Sequence, residues 1–142
     1  MKGKSIRFAS LVCAAWLSVV PGASAEGTHP PLTDQAGDPD RGREIVRDTS
    51  RASCLICHSI SALPDRDHGE LGPPLDGVGS VYTAAELRLR IMDARRILPD
   101  TIMPPYYATN DLYRVGARWV GQTIYSAQDV EDVVAFVMTL VD

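Results

Sequence analysis

Cys54-Leu55-Ile56-Cys57-His58 sets two thiols and an imidazole within five residues. Thiols three positions apart can each form a thioether with one vinyl group of the same porphyrin. The adjacent imidazole is then delivered to the iron as its proximal ligand. This spacing is the signature of c-type haem attachment, and rival uses of the same residues each lack something. Structural zinc takes four ligands, yet the remaining histidines are His29, in a proline-rich stretch, and His68, in an acidic loop. A dithiol redox pair belongs beside a βαβ pattern, and no alternating apolar strand precedes Cys54. A plain disulfide leaves His58 without a task.

A sixth ligand is offered by Thr101-Ile102-Met103-Pro104-Pro105-Tyr106-Tyr107. Met92 and Met138 fall within helical apolar patterns, where methionine usually fills a core. Met103 lies in a loop, and Pro104 biases it towards extended backbone. The paired prolines lower the entropy lost in presenting one thioether to iron. His68 follows His58 by ten residues and is poorly placed to reach the opposite haem face, so it reads as a solvated loop residue. Thioether opposite imidazole raises the reduction potential and closes the iron to outside ligands. The chemistry expected is therefore one-electron transfer by a single covalently bound haem c, with oxygen, peroxide and sensor chemistry disfavoured.

Gly72-Pro73-Pro74-Leu75 and Gly77-Val78-Gly79 read as a rigid turn. A haem-bound histidine usually donates its other ring nitrogen to such a carbonyl. The Pro73 carbonyl is the candidate acceptor for His58, an ordinary proline turn being the alternative. The candidate cofactor-binding residues are Cys54, Cys57, His58, Met103, Pro73 and Leu75, with His58 and Met103 as metal ligands; none is read as catalytic.

The elements that must position these residues are helical. Pro39 to Arg47 reads as a first helix with acidic residues at its start, fraying near Ser50. Thr83-Ala84-Ala85-Glu86 is a capping box opening a second helix to about Arg96, with Leu87, Ile91 and Ala94 on its stripe. A last helix follows Ser126, with Asp129 as a box-like partner. There Val130, Val133, Val134, Val137, Met138 and Val141 predict one broad buried face. The fold class expected is all-α, with haem in the core and loops between three or more helices. A core this thin needs the cofactor as part of its packing.

Lys2, Lys4 and Arg7 precede the apolar run Phe8 to Val20, and Ala23-Ser24-Ala25 offers a small-x-small cleavage site. Residues 1–25 therefore read as a signal peptide too short for a membrane span. A lipoprotein reading through Cys13 is weakened by Val12 just before it. The expected location is the periplasm. Residues 26–37 are rich in Gly, Pro, Thr and Asp and read as a loose arm, and 38–142 as one domain. From residue 26 onward there are 11 arginines, no lysine and 18 acidic residues, a net charge of −7. Such a surface argues against nucleic acid or an acidic membrane as partner. The segment 108–125, with Tyr113, Trp119 and Val120, could dock a partner or simply cover the haem edge.

Taken together, the attachment motif, Gly72-Pro73-Pro74-Leu75-x-Gly77-Val78-Gly79, the Met103-Pro104-Pro105-Tyr106-Tyr107 loop and Val130 to Phe136 resemble SoxX. That family is the monohaem cytochrome c subunit of the thiosulfate-oxidising SoxAX complex, and the resemblance covers about residues 38–142. It implies a small class I-like cytochrome c domain. It implies a SoxA-like haem partner whose haem carries a cysteine-persulfide ligand. The heterodimer would oxidatively conjugate thiosulfate to a cysteine of a SoxYZ-like carrier, an L-cysteine S-thiosulfotransferase activity, with electrons passing onward to an acceptor such as a cytochrome. It maps the haem cysteines to Cys54 and Cys57, the axial histidine to His58 and the axial methionine to Met103. The chain after residue 25 has no third cysteine, so the persulfide and the bond-making step would lie on the partner, with electron acceptance here. The competing expectation is a free-standing soluble monohaem electron carrier.

Overall fold

The computed structural model describes residues 29–51, 54–64 and 67–142. The segment read as a signal peptide lies outside them. Among the described residues there are four α-helices and no strand. No helix there is long and apolar enough to cross a membrane.

Helix α1, Pro39–Arg47, starts where the sequence provides a cap. The Asp38 carboxylate accepts the amides of Asp40 and Arg41, and proline takes the first helical position. Helix α2, Val78–Val81, is entered through Gly77 at φ +74°, a conformation only glycine adopts cheaply. Four residues are too few to show periodicity, and the sequence reads there as turn alone. Helix α3, Ala84–Asp93, carries the full Thr83–Glu86 capping box and tightens into a 3₁₀ turn over Ala94–Arg96. Helix α4, Ala127–Val137, carries the matching Ser126–Asp129 box.

The core forms where α1 and α3 pack on α4. Val130, Val133, Val134 and Val137, spaced i, i+3, i+4, i+7, are all buried. Val46 from α1 and Leu87 and Ile91 from α3 meet them. Gly42 lets α1 approach closely, since a Cβ there would collide with the Asp132 carbonyl. Val141 departs from expectation and is 62% exposed. Helix α4 ends at Val137, and the tighter turns that follow send Leu140 inward instead.

The arm also differs from expectation over its described part. Residues 29–37 lie pinned along α4 by polar contacts that composition does not reveal. The Leu32 amide donates to Glu131 Oε1 (2.9 Å), and Thr33 Oγ1 lies 2.8 Å from Gln128 Oε1. Arg88 donates to the His29 carbonyl at 2.8 Å. Arg88 and Glu131, each 5% exposed, form a bidentate pair with both contacts at 2.7 Å. Asp132 is fully buried and accepts from the Asp38 amide and Gln128. Its Oδ2 has no aligned donor and is held by the charge of Arg41, 2.9 Å away.

Candidate haem-attachment site

The attachment motif is a single helical turn. The Cys57 and His58 amides both donate to the Cys54 carbonyl, at 3.1 and 2.9 Å. Residues at i, i+3 and i+4 share a face, so the turn groups Cys54, Cys57 and His58. Leu55 points into the core and Ile56 outward. Both cysteines are free thiols. Cys54 packs against the core, and burial pushes its thiol up to about 11, partly opposed by the Tyr125 hydroxyl.

A second segment is laced to that turn. Gly69 donates to Leu55 O (2.8 Å), Gly72 to Cys57 O (2.8 Å) and Leu75 to Ser59 O (3.0 Å). The His58 ring lies directly on Gly72, where any Cβ would collide with it. His58 Nδ1 is 2.6 Å from the Pro73 carbonyl oxygen, the acceptor expected from the sequence. A carbonyl only accepts, so Nδ1 carries the proton and Nε2 keeps the lone pair that binds a metal. Leu75 is partly buried against the core.

Met103 sits in a loop fastened at both ends. Thr101 N donates to Leu98 O and Met103 N to Thr101 Oγ1 (3.0 and 3.2 Å). Beyond the prolines, Tyr106 N and Tyr107 N donate to the Ile91 and Met92 carbonyls of α3 (3.3 and 3.1 Å). Met92, Met103 and Met138 are all partly buried against the core, so burial does not choose among them; Met92 lies within α3 and Met138 caps the end of α4, whereas Met103 lies in a loop away from any helix end. His68 is exposed. Among the described residues no three His, Cys, Asp or Glu side chains gather as a metal cage. A cleft of about 570 Å³ borders Met92, Asp93, Tyr107 and Asn110 and touches none of the candidate haem residues.

The sequence reading missed two aromatic residues beside the thiols. Tyr106 and Tyr125 stack with centroids 4.5 Å apart. Burial, joined by the charge of Cys54, pushes both phenols well above the ordinary tyrosine range. Arg51 lies over Tyr125 at 5.6 Å, between Asp48 and Asp129. Tyr106 stood in the Met-Pro-Pro-Tyr-Tyr motif as a signal, whereas Tyr125 had no marker beyond preceding a helix cap.

These residues fit a covalently held haem. Two free thiols and an imidazole with a fixed tautomer share one turn, and beside the first thiol lies a buried hydroxyl with no other well-aligned partner. The cytochrome c family model matches residues 39–141, and the chain belongs to that family, whose members carry covalently bound haem c. Within it the chain is SoxX-like. It is 36% identical to a chain in the crystal structure of SoxXA from P. pantotrophus, with a TM-score of 0.73, covering 80% of this chain and 88% of that one. A comparison with curated proteins returned no match.

Proposed function

We propose that this chain is the electron-accepting subunit of a periplasmic SoxAX-like heterodimer that conjugates thiosulfate to a carrier-protein cysteine. The observation that supports it most is the 36% identity over 80% of the chain to a SoxXA chain. Joining thiosulfate to a thiol forms one S–S bond and releases one proton and two electrons. Haem c supplies a one-electron redox centre when bound. Two such transfers therefore serve each conjugation, through a second haem or an onward acceptor. Cys54 and Cys57 would be consumed as thioethers, so the sulfur-activating thiol belongs to a SoxA-like partner. In this chain His58 and Met103 would hold the metal, with Gly72 and the Pro73 carbonyl orienting the imidazole and the apolar core around it limiting water. The segment before residue 26 directs export.

The test is isolation of the tagged chain from its native periplasm. A second haem polypeptide should co-purify, and haem reduction by thiosulfate should need both chains and a carrier protein. A monomer that exchanges electrons with a membrane oxidase, indifferent to thiosulfate, would establish the free carrier instead.

A further inference from the structure

Tyr125 is fully buried, and among the described residues its hydroxyl finds no well-aligned hydrogen-bond partner, only the Cys54 thiol beside it. A buried phenol usually reaches a partner, because an unpaired O–H is costly. Phenylalanine would fill the same space without that cost. The ring cannot swing away. Tyr106 stacks on it at an interplanar angle of 23°, and the Arg51 guanidinium lies near its ring. Its amide donates to Tyr106 O, and its carbonyl accepts from Thr123 Oγ1.

The side chain that interacts with this hydroxyl is Cys54. A free thiol meets it as a second donor and a weak acceptor. Adding the S–H across a vinyl group moves that proton to carbon and leaves the sulfur with acceptor lone pairs alone. We propose that the Tyr125 hydroxyl donates to the Cys54 sulfur once it is a thioether, positioning that attachment and tuning the bound haem. This rests on the haem reading of Cys54. The positive end of the O–H dipole then faces the cofactor, disfavours the more positive oxidised state and raises the reduction potential.

The test is Tyr125→Phe in the haem-loaded protein, which keeps the stack and removes one oxygen. Covalent haem should be retained. The midpoint potential should fall by the equivalent of a two- to tenfold change in the reduction equilibrium, tenfold being about 59 mV for one electron. Resonance Raman of the wild type should show a haem–thioether band displaced in D₂O, and the variant should lack that displacement. An unmoved potential, even with a lowered melting temperature, overturns the proposal, because packing alone would then explain Tyr125. If the variant yields no loaded protein, the wild-type band decides: deuterium sensitivity supports the proposal and its absence overturns it. Wild-type protein without covalent haem would sink the haem reading itself, a separate and visible outcome.

Discussion

His58 owes its orientation to two neighbours with no reactive group of their own, Gly72 and the Pro73 carbonyl. Gly72→Ala would drive a methyl into the imidazole. We expect it to break the Nδ1 contact and destabilise the domain by about 1–3 kcal/mol, read as a lower melting temperature and a poor yield of haem-loaded protein. Met103→Ala should abolish the weak near-infrared sulfur-to-ferric-iron band; a retained band would move the sixth ligand elsewhere. The motif was legible in the sequence because fixed spacing implies fixed chemistry, whereas spacing left the Pro73 carbonyl and an ordinary turn both open until the folded chain brought it to His58. The task of Gly72 was not, since a close approach from 14 residues away appears only once the loop is folded back on the turn. Tyr125 escaped for the same reason.

Helix α3 and helix α4 are joined by a buried ion pair that also anchors the segment before α1. Arg88→Met would strand the Glu131 carboxylate and cost about 3–5 kcal/mol. Urea unfolding should report that loss, and hydrogen exchange at the Leu32 amide should quicken. Replacing both partners, Arg88→Met with Glu131→Leu, should recover part of the stability while Leu32 stays unprotected. Both capping boxes could be read directly, because a Thr or Ser three residues before an acid uses local geometry alone. The Arg88–Glu131 pair could not. A charged residue on a helix normally signals a solvated face, and only the tertiary partner converts it into a buried one. Helix α2 was too short to leave a pattern, and Val141 followed a helical period that the chain abandons at Val137.

Across the whole molecule the resolved carboxylate shifts run one way. Burial raises Glu131, but the hydrogen bonds from Arg88 and Leu32 outweigh it and hold the carboxyl below its usual range. Asp129 is likewise raised by burial and brought lower by Ser126 and Arg51, and Arg95 lowers Asp93. Depressed carboxylates contribute stability that is fully present above the unfolded value of about 4 and lost as pH falls through the folded values. Urea midpoints should thus hold steady from about pH 7 to 5 and fall steeply below about pH 4. Glu131→Gln should be weaker at neutrality and show a shallower acid slope. The pinned arm has a temporal consequence as well. Its hydrogen bonds to α4 join residues 92 to 99 positions apart. A polypeptide that emerges from the ribosome N-terminus first cannot shut this clasp until its final helix is made. Until then the two thiols ride on an open chain, within reach of whatever stitches pigment to them.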